Sequence, residues 1–82
     1  MTTQHTFKLT ISKVNEQLFS GDAVSVTVPG TKGEMTILAN HEPMITMLKK
    51  GIVTTRSGEE TKTFAIEKGV LETSNGQVTV LV

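Results

Sequence analysis

Cysteine, tryptophan and tyrosine are all absent from this chain of 82 residues. Without cysteine there is no disulfide framework and no thiolate zinc site, which fits a reducing interior. The only aromatics are three phenylalanines. Phe7 and Phe64 fall on apolar phases of their segments, so they read as core packing rather than as base-stacking platforms. An excess of charge of either sign is missing as well. Eight Lys and Arg balance eight Asp and Glu, with a sequence pI near 6.7. That balance excludes a basic field for nucleic acid and a polybasic patch for anionic lipid. The like-charge pairs Lys49-Lys50 and Glu59-Glu60 read as solvated loops. No apolar run approaches membrane-spanning length, and the N-terminus lacks the basic and long apolar regions of a signal peptide. The expectation is a soluble, intracellular protein with no direct lipid insertion.

What the chain does hold points to β structure. Its apolar fraction of 37% with 20% charged residues is ordinary for a globular chain, so disorder is not expected. Threonine, valine and isoleucine number 14, 9 and 5, about a third of the residues. Such residues suit pleated, half-buried surfaces. The length allows one domain, residues 1–82, with a core small enough that a partner could add stability.

The stretch from Val28 to Leu48 organises the rest. It carries both prolines, Pro29 and Pro43, and three of the four methionines, Met35, Met44 and Met47. Two apolar runs, residues 35–38 and 44–48, flank the polar bend Ala39-Asn40-His41-Glu42-Pro43. The arrangement suggests a shaped loop pair on strands, made for docking. Elsewhere Phe7, Leu9 and Ile11 alternate with Lys8, Thr10 and Ser12 as a period-two strand. Residues 14–17 read as a turn or bulge, and Ser20-Gly21-Asp22 as a second turn. Val24, Val26 and Val28 form the clearest alternation, which Pro29 is expected to end by removing a ladder donor. Residues 29–33 make a tight connection to a return strand at 35–38. Residues 44–50 fit a strand or a short helical turn, and their brevity favours strand. Strands over 52–56 and 61–67 flank a loop at 57–60. Asn75-Gly76 between 70–73 and 77–81 is the strongest hairpin signal available. The count, eight to ten short strands with no long helix, predicts an all-β fold, a β-sandwich or flattened barrel.

Catalytic patterns are missing. No nucleophile elbow occurs, and each serine lies in a turn or on a polar strand face. Asp22 is the only aspartate, and the glutamates lie mainly in loops. For a metal, only His41 with Glu42 and Glu34 could converge, short of a full donor set, and His41 reads more simply as a loop residue. Gly30-Thr31-Lys32-Gly33 lacks phosphate-loop spacing and no helix follows it. No enzyme and no cofactor are expected.

The ordered motifs themselves resemble a known family. Phe7 to Ser12, Leu18-Phe19-Ser20-Gly21, and the run from Val24 through Pro29-Gly30-Thr31-Lys32-Gly33-Glu34 to Leu38 are similar to the epsilon subunit of the rotary F-type ATP synthase. So are His41-Glu42-Pro43, Thr46 to Leu48, Gly51, Gly69-Val70-Leu71-Glu72 and Asn75-Gly76-Gln77-Val78-Thr79-Val80-Leu81. The resemblance runs along nearly the whole chain in order. It implies a β-sandwich of about ten short strands in two five-stranded sheets. It also implies a non-catalytic rotor subunit of the central stalk, between the gamma subunit and the c-ring. The site would be the cytoplasmic face of a bacterial inner membrane, where the chain is peripheral and a monomer within a hetero-oligomeric complex.

Carried over by position, Gly30, Thr31, Lys32, Gly33 and Glu34 would face the polar loops of the c-ring. Glu34 is the best single contact, because a carboxylate there can pair with a ring-loop arginine. Ser12, His41, Pro43 and Met44 would lie near gamma. Met47 fits interface and core equally, since methionine adapts to both. Three departures stand out. Asn40 replaces a common glycine and tolerates left-handed backbone. Lys68-Gly69 replaces a glycine pair. The family's C-terminal helical hairpin, which can extend to inhibit the motor and in some members binds ATP, has no counterpart before Val82; if that is the natural end, both functions are absent. The rival reading is a free-standing β-sandwich ligand-binding or adhesion module, which should show aromatic stacking residues. A small metal-dependent enzyme built on His41 is the other.

Overall fold

Among the described residues, nine strands and four two-residue hairpin turns organise the chain. The structure is a computed structural model and describes residues 5–40 and 42–82. The strands are β1 (Phe7–Lys13), β2 (Glu16–Ala23), β3 (Ser25–Gly30), β4 (Gly33–Leu38), β5 (Met44–Leu48), β6 (Gly51–Ser57), β7 (Glu60–Ile66), β8 (Gly69–Ser74) and β9 (Gln77–Leu81). They lie in the order β2-β1-β9-β8-β5-β3-β6-β7, with β4 on β3. All pairs are antiparallel except β1 with β9. The link between β5 and β3 is a single bridge, Gly30 to Leu48. That weak joint divides the curled sheet into a half of five strands and a half of four, the two layers of a sandwich. The all-β expectation holds, and the nine strands among the described residues fall within the eight to ten expected, although the two layers hold five and four strands rather than five each.

Turn chemistry explains the hairpins. Asn75 and Gly76 both take positive φ, 48° and 75°, as a type I′ turn between β8 and β9 requires. Gly58, at φ 63°, opens the two-residue turn between Ser57 and Glu60. Asn15, at φ 68°, closes the turn between Lys13 and Glu16. In each case the residue type is one that tolerates left-handed backbone.

The alternation predicted for β1 places Phe7, Leu9 and Ile11 in the core, where Val26, Val28, Ile37, Val53, Leu71 and Val80 join them from both layers. One side of the sandwich closes through the chain itself at Ala23 and Val24, whose N–H donates to the Arg56 carbonyl at 2.7 Å. On that side Phe19 and Phe64 meet edge to face at 6.4 Å between centroids, with the Lys62 ammonium 5.6 Å from the Phe19 ring. These contacts shield the open layer edge where β2 approaches β7.

Several local expectations change. Ser20-Gly21-Asp22 is no turn; it lies inside β2, paired residue for residue with Thr10, Leu9 and Lys8. The irregularity sits earlier, where the register shifts between Ile11 and Ser12 and leaves Leu18 as a bulge. Pro29 does not end β3. It pairs with Glu34 in the non-bonded position of the β3–β4 ladder, so its missing N–H costs that ladder nothing. Its carbonyl turns the other way and accepts from Lys49 N at 2.9 Å. Val24 falls in the bend before β3. Residues 44–48 are strand, as preferred, while Lys49 and Lys50 are not. Neither Asn40 nor Lys68 takes a positive φ, so both glycine replacements keep ordinary backbone.

Candidate docking site

The β3–β4 hairpin projects Thr31 and Lys32 at its tip between the paired residues Gly30 and Gly33. Gly33 takes φ 135°, a value that favours glycine. Gly30 is needed for a different reason. A Cβ there would lie 2.7 Å from the Gly33 carbonyl oxygen and 3.5 Å from Met35 Sδ, so a side chain would pry the tip open. The tip is also tied sideways. Thr31 N donates to the Met47 carbonyl at 3.0 Å, next to the Lys49–Pro29 bond. Gly51 lets β6 pass under Pro29, whose Cβ would stand 2.8 Å from an added methyl. Five residues the sequence singled out, Gly30, Thr31, Lys32, Gly33 and Glu34, therefore sit on one braced projection. All except Gly30 are exposed.

The gamma-side candidates are not brought together as one cluster. His41 lies outside the described residues. Pro43 is exposed, and Met44, half-buried, packs against the core. Met44 pairs with Thr73, which pairs with Val78, which pairs with Leu9, all in the inward-facing row. Ser12 belongs to the other face. Its row runs through Leu81 and Val70 to Met47. Met47 and Leu81 are 58% and 54% exposed, so Met47 is a surface residue and not core. Ile45, at 70% exposure, lies beside it. A groove of about 490 Å³ joins the two regions, lined by residues 30–35 and 44–47.

Thr73 was missed by sequence reasoning. It is 4% exposed, and its hydroxyl both donates and accepts. The Oγ1 donates to the Glu42 carbonyl at 2.7 Å and accepts from Met44 N at 2.9 Å. A single threonine in β8 thus pins the bend that enters β5. The signal was present: Thr73 falls on the apolar phase of its strand with Leu71, where a hydroxyl needs a partner. Gly69 was quoted for its position alone, but it admits the chain end: a Cβ would lie 2.5 Å from the Leu81 carbonyl oxygen.

Nothing in this arrangement concentrates reactive groups. Among the described residues no three His, Asp or Glu side chains converge as metal donors, and no helix is long and apolar enough to cross a membrane. What the geometry offers is a braced tip, an apolar groove and a pinned bend.

Comparison with known proteins gives this geometry relatives. The family described as ATP synthase, Delta/Epsilon chain, beta-sandwich domain matches residues 6–82. The ATP synthase epsilon chain 2 of Nitrobacter hamburgensis is 39% identical over 75 residues, covering 92% of this chain and 55% of that protein. The ATP synthase epsilon chain of Caulobacter vibrioides is 46% identical over 48 residues, covering 58% and 56%. The chain spans about half the length of these curated relatives. In fold it is similar to a chain of the Euglena gracilis mitochondrial ATP synthase, at TM-score 0.89 and 22% identity, covering 100% of this chain and 53% of that one. A chain from the central stalk and c-ring of the Tetrahymena thermophila enzyme gives 0.82 at 15% identity, covering 99% and 66%.

Proposed function

Because the chain belongs to the β-sandwich family of ATP synthase delta and epsilon chains, we propose that it is a non-catalytic rotor piece of an F-type ATP synthase. It sits in the central stalk at the cytoplasmic face of a bacterial membrane and links the c-ring to the gamma subunit. Ion flow turns the ring, and the sandwich passes the torque on by shape.

The observation that carries the reading is the bracing of the β3–β4 tip. A part that transmits torque must not bend where it is gripped. A load on Thr31 or Lys32 passes through the Thr31–Met47 bond into β5 and its partner β8, and through β3 into β6. Both layers therefore take the load at once. Glu34 stands exposed beside the tip, where it can meet a ring-loop cation. A solvated pair of that kind adds at most about 1 kcal/mol, so it sets register while shape complementarity provides the grip. Such a role asks for no nucleophile, metal or cofactor.

The test is a crosslink. In the assembled complex, Glu34→Cys should form a disulfide with a cysteine placed in the c-subunit polar loop. A coupled complex that yields no such crosslink, with a control pair elsewhere reacting, rules out the assigned orientation.

A further inference from the structure

We propose that the end of the sandwich bearing the β3–β4 tip rests against the anionic headgroups of a lipid bilayer. The inference goes beyond the stalk reading and does not depend on it, because it stands on where the fold puts charge and apolar surface.

Balanced charge in the sequence spoke against anionic lipid, but the fold sorts the charges by end. Register places Ser12, Leu81, Val70 and Met47 in one row across the five-stranded half. Leu48, one step further, pairs with both Gly69 and Gly30. The connections just beyond that row therefore share one end of the molecule with the tip. They are the turn at residues 14–15, the Lys49-Lys50 link from β5 to β6 and the Glu67-Lys68 link from β7 to β8. This end holds Lys13, Lys32, Lys49, Lys50 and Lys68, all exposed, against Glu16, Glu34 and Glu67. Five lysines against three glutamates leave an excess of two positive charges.

The opposite end is marked by the pairs Lys8–Asp22, Ser25–Arg56 and Ser57–Glu60. It holds Lys8 and Arg56 against Asp22, Glu42, Glu59 and Glu60, an excess of two negative charges. Lys62 and Glu72 lie between the ends and cancel. A chain whose side chains sum to zero is thus polar from end to end. A field of this kind orients a protein on a charged surface.

Charge alone fits an acidic protein as well as a bilayer. Apolar surface at the same end favours the bilayer. Val14, 86% exposed, caps the turn beside Lys13, and Met47, Leu81 and Ile52 are exposed around the same rim. Four of the six large apolar side chains exposed among the described residues therefore accompany the lysines. Lysines near an anionic leaflet each add about fivefold to partitioning. Short apolar side chains beside them can lie among the headgroups without entering the hydrocarbon. The tip stays available to a protein ring, since Lys13, Lys49, Lys50 and Lys68 come from other turns.

The experiment is co-sedimentation of the full chain with vesicles of phosphatidylcholine, alone or mixed equally with phosphatidylglycerol. At about 0.02 M salt the chain should bind the anionic vesicles and not the neutral ones, and about 0.5 M salt should release it. Lys49→Gln with Lys50→Gln should lower partitioning at least tenfold, by about fivefold per lysine. Lys8→Gln with Arg56→Gln changes net charge equally at the other end and should alter it less than twofold. In wild type, a paramagnetic headgroup label should broaden the amides of residues 13–16, 49–51 and 67–69 and spare 57–60 and 74–77. This readout needs no variant, so it decides the matter even where a paired substitution unfolds the chain. Equal losses from the two pairs, or broadening at the opposite end, overturn the proposal. So does an absence of binding to anionic vesicles at low salt, which leaves the stalk reading standing. Binding to polyglutamate but not to vesicles, with the same dependence on Lys49 and Lys50, assigns the end to an acidic protein and overturns the bilayer contact.

Discussion

Replacing Thr73 by valine keeps the shape of a buried side chain and deletes its hydroxyl. In the wild type that hydroxyl answers two backbone groups, the Glu42 carbonyl at 2.7 Å and Met44 N at 2.9 Å. Each bond contributes roughly 0.5–1.5 kcal/mol net, and a buried group left without a partner costs more, about 1–3 kcal/mol. Residue 73 is 4% exposed, but Glu42 is on the surface and water can reach its side of the bend. The sum is therefore set nearer the bond values, at about 2 kcal/mol. For a chain of this size that lowers the thermal midpoint by roughly 8–16 °C. The assay is urea unfolding followed by circular dichroism, with Thr73→Ser as companion. Serine keeps the hydroxyl and loses one methyl, so it should retain more than half of the difference. The valine variant should also bind gamma more weakly than its stability loss explains, because the 42–44 bend is released. A valine variant within about 0.5 kcal/mol of wild type contradicts the idea that Thr73 holds the bend.

Three further outcomes follow from the same reasoning. Gly30→Ala places a methyl 2.7 Å from the Gly33 carbonyl oxygen; the tip must open, with a cost of about 1–3 kcal/mol in urea unfolding and a weakened c-ring crosslink from position 34. Leu71→Ala, at a fully buried site in the middle of β8, should cost about 2–5 kcal/mol by cavity formation, read by the same denaturation. Gly76→Ala, at φ 75° where the methyl meets nothing within 4 Å, should cost only about 1–2 kcal/mol, the intrinsic left-handed penalty, and leave gamma binding unchanged.

Much of the architecture could be read from the chain because alternation and turn chemistry agreed locally. Val26 and Val28 point inward between Ser25 and Thr27, and Asn75-Gly76 forms the turn its residue types require. Prediction faltered where a small residue had two uses. Ser20, Gly21 and Asp22 have turn chemistry, yet pairing with β1 over the full length of β2 outweighs it. Pro29 was given the general effect of proline on a ladder, but its non-bonded position was a matter of register, which depends on the partner strand. The projecting tip was legible from Pro29, Gly30 and Gly33 alone. Its bracing was not, because the Thr31–Met47 bond joins residues 16 apart in sequence. Met47 illustrates the same limit. Its character suited core and surface alike, and only the register with Val70 and Leu81 places it on the outer face. The bend at residues 39–43 was recognised from its polar residues, while the threonine that ties Glu42 to the start of β5 came from a strand about thirty residues later.

Association with gamma bears most directly on the account. Sedimentation of the purified chain with purified gamma at micromolar concentration should give a one-to-one complex, lost in Thr73→Val at a temperature where that variant is still folded. Two species that sediment independently under those conditions, with both proteins folded, would contradict the claim that this sandwich is a gripped part of a rotor.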